Sequence, residues 1–217
     1  MSQDSSPRPG QLVLVPALIT LAVTLLRLVG ELLGWSPLLF SREAGGGFAL
    51  VGISWLVPVF GAWFGWKLAA SGERPGSAWR ALGLTVLALA ALPAAGFAAA
   101  KLGVEGTSLT ALAVYAVVSL AALGVSLAAW PALGRTLLAY GLAARLPVIL
   151  VMLAAILGNW GTHYDVMPPG APEMSGLTKW LVIGVLPQLT VWQWFTVVVG
   201  GLFGIAAAAL ARSRATA

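Results

Sequence analysis

The 217-residue chain carries 9% charged and 59% hydrophobic residues, and with a mean hydropathy of +0.94 it has too little polar surface to cover a soluble globule. The absence of cysteine excludes disulfides, thiolate metal sites and a cysteine nucleophile, and a single histidine excludes the multi-histidine ligand sets of haem, copper and most zinc centres, so no metal or cofactor is expected. A formal charge of +5 would suggest nucleic acid for a soluble protein; beside apolar segments it reads as membrane topology, and no nucleic-acid partner is expected.

Residues 1–11, MSQDSSPRPGQ, are short, polar and proline-bearing and are expected to be disordered. The apolar run behind them lacks an A-x-A site and continues into Arg27 and Glu31, so a cleaved signal peptide is not expected. About 20 residues are needed for each helical crossing. That ruler places spans at 12–33, 48–68, 81–100, 109–130, 135–158 and 188–211, separated by turn signals such as SREAGGG, SGERPGS, KLGVEGTS and WPALG. No segment shows the period-2 alternation of a membrane barrel, and apolar runs of this length satisfy their backbone as helices. The expected fold is an all-α integral membrane protein, a bundle of about six transmembrane helices. Residues 12–211 form its single domain, and 212–217 a cytoplasmic tail.

In the first span Arg27 lies about seven residues, roughly 10 Å, below the outer end, with Glu31 one turn above it on the same face. Snorkelling plus this ion pair accounts for both residues; a functional polar site is the other reading. The second span carries Gly61, Gly65 and Ala69 at four-residue spacing, and the sixth carries Gly200, Gly204 and Ala208. Such small-residue faces let helices approach closely, either within the chain or against another subunit. Pro58, Pro93 and Pro147 fall within spans but do not identify a transport site, and the polar positions of the first three spans do not recur in the last three. In the fifth span Arg145 marks the cytoplasmic boundary if that helix begins near Leu142, after an interfacial stretch with Arg135 and Tyr140. The alternative is a buried arginine facing an anionic lipid or substrate.

The stretch GNWGTHYDVMPPG, residues 158–170, follows. Gly158 or Gly161 suits a left-handed helix end, Asn159 a cap, and Thr162 or Asp165 can satisfy backbone donors in the returning loop. Its functional reading is a cluster of His163, Tyr164 and Asp165 at the outer mouth, with His163 and Asp165 as acid and base; Asp165 is the carboxylate expected to reach Arg27, with Glu31 as local competitor. The apolar block 179–211 is too long for one crossing. Pro187 offers a break, so a short outer interfacial helix at 177–186, anchored by Trp180, is expected within the extracytoplasmic region 159–187. Trp35, Trp160, Trp180, Trp192 and Trp194 fit an aromatic belt near the outer boundary.

Counted on alternate sides of the spans, Arg8, Lys67, Arg74, Arg80, Arg135, Arg145, Arg212 and Arg214 face Arg27, Arg42, Lys101 and Lys179, eight cations against four. Both termini are therefore expected on the cytoplasmic side of a bacterial cytoplasmic membrane. The leading functional expectation is a non-enzymatic accessory or assembly subunit in contact with the lipid bilayer and a membrane-protein partner or its own copies. The alternatives are a small transporter or lipid-binding protein using Arg145, Arg27 and Glu31, and a membrane enzyme using His163 and Asp165.

Overall fold

A computed structural model describes residues 9–47 and 49–213 and contains no strand among them. Six of its helical segments are long and apolar enough to cross a membrane, and the chain is a multi-pass integral membrane protein with a helical-bundle fold. The helices are α1 (Pro9–Leu32), α2 (Leu56–Ala70), α3 (Ala78–Lys101), α4 (Leu109–Ala129), α5 (Pro131–Gly158), the short α6 (Gly176–Lys179) and α7 (Leu186–Leu189), and α8 (Val191–Ser213). Because the long helices alternate in direction, the loops at 33–52, 102–108 and 159–175 gather at one end of the bundle. That end carries the site described below.

Local chemistry explains the boundaries. The Ser77 and Ser108 hydroxyls accept from the amides of Arg80 and Ala111, capping α3 and α4. The α4–α5 turn consists of extended Trp130 followed by Pro131 at the first position of the helix, where its missing amide costs nothing. The fifth helix therefore begins at Pro131, before the expected 135 or 142, and Arg145 lies midway along it. The reading of Arg145 as a boundary residue is overturned. Pro9–Gln11 already belong to α1 instead of a disordered arm; residues 1–8, the remainder of that expectation, and Phe48, the expected start of the second span, lie outside the described residues. Helix α8 runs on to Ser213, past the expected tail boundary, and 214–217 lie outside the description.

The expected break before the last span falls at Thr190, not Pro187. Between α6 and α7 the stretch Trp180–Val185 is a π-helical turn, and such a turn lets a helix absorb the missing amide of Pro187. The division between α7 and α8 comes at Thr190 (φ −116°, ψ −80°), whose hydroxyl donates to the Leu186 carbonyl at 2.6 Å.

Helix α8 is central, packed against α2, α3, α4 and α5. The two small-residue stripes meet each other: a Cβ at Gly61 would strike the backbone of Gly200, and one at Gly65 the backbone of Gly204. On its other side α8 meets Leu133 and Leu137 of α5, which crowd Gly204 and Gly200. Phe64, Leu133, Leu137, Tyr140 and Val197 form the main core. Of the tryptophans assigned to a belt, Trp35 and Trp160 are exposed, but Trp194 is buried and donates its indole N–H to the Ala88 carbonyl at 3.0 Å. Trp194 is thus a packing residue between α8 and α3.

Candidate functional site

A cavity of about 310 Å³ lies within the bundle beneath the gathered loops. One end is lined by Arg27, Thr24, His163 and Tyr164, the other by Arg145, Gln188 and Trp192, with Val148, Met152, Ile183 and Leu112 among the apolar walls.

The loop end is organised by Glu31, which is fully buried. Its Oε1 accepts from Arg27 Nε at 2.8 Å and from His163 Nδ1 at 2.5 Å, while Oε2 accepts from the His163 backbone N–H at 2.9 Å. The Glu31 main-chain carbonyl accepts from Arg42 Nε at 2.8 Å and also from Arg42 Nη2. Arg27 in turn donates through Nη2 to the carbonyls of Ser41 (3.1 Å) and Gly46 (3.0 Å), drawing the 33–52 loop over its guanidinium. Gly46 has φ 90°, and a Cβ there would collide with that guanidinium, so glycine is required on both counts. A carboxylate accepts only, so the proton of neutral His163 sits on Nδ1 and Nε2 is left with a lone pair. Burial pushes the His163 pKa below its ordinary 6.5 and the neighbouring Arg27 charge pushes the same way, against the pull of Glu31. The ring is neutral at pH 7. Tyr164 packs against it with the rings tilted by 43° and centroids 3.9 Å apart, and donates to the Thr24 carbonyl at 3.3 Å; burial, then Glu31, raise its pKa and keep the phenol protonated.

Asp165 satisfies backbone donors in its own loop, as expected, and does neither of the longer-range jobs, reaching Arg27 or pairing with His163. Its Oδ1 accepts from the Thr162 amide and hydroxyl, each at 2.7 Å, and its Oδ2 accepts from the Gly161 amide at 2.9 Å. The carboxylate closes its own loop, because donors three and four residues away need almost no chain ordering to reach it. Arg27 takes Glu31 instead, and the partner of His163 is Glu31, so the His163–Asp165 acid–base pair does not exist as a contact. Asn159 ends α5 in the left-handed conformation (φ 49°) and is exposed, away from the cavity lining.

At the deep end Arg145 is 3% exposed. Its Nη1 is 3.5 Å from Gln188 Oε1, its Nη2 is 3.4 Å from Thr196 Oγ1, and its Nε has no partner. The guanidinium carbon stands 5.0 Å over the Trp192 ring. Among the described residues no carboxylate pairs with it. Gln188 and Thr196 escaped the sequence reading as site residues and Trp192 was read only as part of the aromatic belt, although their four-residue spacing is the signal of a shared face. Thr20, Thr24, Arg27 and Glu31 likewise form one polar stripe on α1, of which only the charged half was recognised.

Among the described residues no group of three or more His, Asp or Glu side chains is placed to hold a metal ion. The geometry is that of a pocket with apolar walls and a polar mouth, bordered by a buried cation that has one unpartnered donor, Nε. Comparison of the chain with protein-family models, curated proteins and solved structures gives no match.

Proposed function

We propose that this chain is a small transporter or lipid-binding protein whose ligand is an anion held by Arg145 in the intramembrane cavity. The observation that carries this reading is the guanidinium itself: 3% exposed, with an orphaned Nε and two loose neutral contacts, beside a cavity. A buried ion without a counter-ion costs several kcal/mol, and an anionic ligand offsets that cost. The accessory-subunit reading loses its main support, since the small-residue faces of α2 and α8 already cover each other.

The proposed orientation has both termini in the cytoplasm of a bacterial cell and the loop end of the cavity outside, following the eight-to-four cation count. Gly76→Cys and Ser175→Cys test it in this cysteine-free chain; both positions are exposed and lie at opposite ends of the bundle. An impermeant maleimide is expected to label Ser175→Cys in intact cells and Gly76→Cys only after permeabilisation; the reverse pattern inverts the topology. The ligand is sought by gentle-detergent purification followed by mass spectrometry of retained small molecules. An anionic molecule retained by the wild type and lost in Arg145→Gln supports the reading, and identical profiles from the two proteins refute it.

A further inference from the structure

The chemistry of the ligand follows from the charges around the cavity, given the proposed role of Arg145. Three ionisable bases line it: Arg27, His163 and Arg145. Arg27 is compensated at 2.8 Å by Glu31 and spends a further amine on two carbonyls. His163 directs its backbone N–H and its ring Nδ1–H at that same carboxylate, and burial holds the ring in its neutral form. One uncompensated positive charge remains. A monoanion makes the filled cavity neutral, whereas a dianion leaves an unpaired negative charge in the same low-dielectric surroundings.

Shape narrows the choice. The guanidinium lies against the Trp192 face with loose lateral contacts to Gln188 and Thr196, and its Nε edge is buried without a partner. A planar anion with two equivalent oxygens meets such an edge with two parallel hydrogen bonds. Beyond the charge, Val148 and Met152 on successive turns of α5 and Ile183 on the π-helical turn supply an apolar wall. At about 310 Å³ the cavity is near the small end of ligand sites, with room for one apolar body but not for the paired chains of a phosphodiester lipid.

We infer that the ligand of this cavity is a monocarboxylate on a single apolar chain or ring system, bound one per molecule with its carboxylate on Arg145. This rests on the anion-binding reading above, and the test separates the two. The full-length protein in a mild non-ionic detergent at pH 8 is titrated with dodecanoate, dodecanol, dodecyl phosphate and phosphatidylglycerol, with native mass spectrometry reporting stoichiometry and calorimetry reporting affinity. Dodecyl phosphate is close to a dianion at this pH. One dodecanoate per chain is expected, at least tenfold tighter than dodecanol or dodecyl phosphate, with no saturable phosphatidylglycerol binding. Arg145→Gln is expected to weaken dodecanoate at least tenfold and to leave dodecanol unchanged. Thr196→Val, which keeps the charge and loosens its alignment, is expected to weaken dodecanoate severalfold. If dodecyl phosphate or phosphatidylglycerol binds as tightly as dodecanoate, and through Arg145, the monocarboxylate assignment is overturned while anion binding stands. If no anion binds the wild type more tightly than dodecanol, both fall, and this comparison holds even where Arg145→Gln does not fold.

Discussion

Replacing Glu31 by glutamine tests whether one carboxylate holds the loop end of the bundle together. Glutamine preserves the shape but removes the charge that faces Arg27 Nε at 2.8 Å and His163 at 2.5 and 2.9 Å. Removing one member of a buried ion pair costs about 3–5 kcal/mol, because the remaining charge is left uncompensated. Arg27 keeps its bonds to the Ser41 and Gly46 carbonyls, so the lower end applies. Glu31→Gln is expected to lose about 3 kcal/mol, more than a hundredfold in the folding equilibrium. Arg27→Met is expected to lose a similar amount, since it strands the carboxylate. The double substitution leaves neither charge and is expected to cost about 2 kcal/mol less than the sum, within the range of coupled neighbours. Unfolding equilibria in mixed micelles measure all three. Additivity within about 0.5 kcal/mol, the behaviour of independent sites, would refute the pairing. The same cycle between Arg27→Met and Asp165→Asn is expected to be additive, because Asp165 is spent on Gly161 and Thr162.

His163 makes stability depend on pH. Its folded pKa is below 6.5, so between that value and 6.5 the unfolded chain binds more protons, and stability falls as the pH drops below about 6.5. Melting in mild detergent from pH 8 to pH 5 is expected to show this decline, with the slope reduced in His163→Gln; a melting temperature that rises on acidification contradicts it. Gly61→Leu is expected to cost about 3 kcal/mol, the upper end of overpacking penalties, because the new side chain meets the Gly200 backbone and not a movable side chain. Gly83→Leu on α3, which has nothing within 4 Å of the added Cβ, is the control and is expected to melt no lower than the wild type.

How far the residues announced this structure depended on the range of the interaction. Six crossings follow from the lengths of the apolar runs, and the Arg27–Glu31 pair follows from helical spacing. The small-residue stripes were legible as stripes; that α2 and α8 spend them on each other is a property of packing between segments more than a hundred residues apart. His163 and Glu31 are separated by 132 residues, and no local pattern marks that contact. Asp165 was the ambiguous case. The local role, satisfying backbone donors in its own loop, was legible and is what the structure shows, whereas the expected reach to Arg27 gave too little weight to the ordering cost of a long-range contact. The start of α5 was misplaced because Arg135 and Tyr140 suggested an interface, whereas Pro131 after Trp130 is the stronger signal of a helix beginning. With that start corrected, Arg145 moves from the membrane boundary to the middle of its helix.

The two cavity arginines have very different surroundings, and the difference can be put to use. On α1 a counter-ion one turn away neutralises Arg27. On α5 the corresponding positions are Gly141 and Ile149, and Val148 offers no charge either, so nothing on the helix compensates Arg145. A carboxylate placed at Val148, which lines the cavity one turn from Arg145, would act as a tethered copy of the proposed ligand. Both Val148→Glu and Val148→Gln bury a polar side chain, so their difference isolates the charge. With Arg145 present, the glutamate protein is expected to be the more stable of the two; with Arg145→Gln, the order is expected to reverse, giving a coupling of about 1–3 kcal/mol. Val148→Glu is also expected to lose dodecanoate binding by at least tenfold, because the site is filled from within, whereas Val148→Gln retains part of it. Equal stability of the glutamate and glutamine proteins in both backgrounds would mean that Arg145 is not waiting for an anion from this cavity.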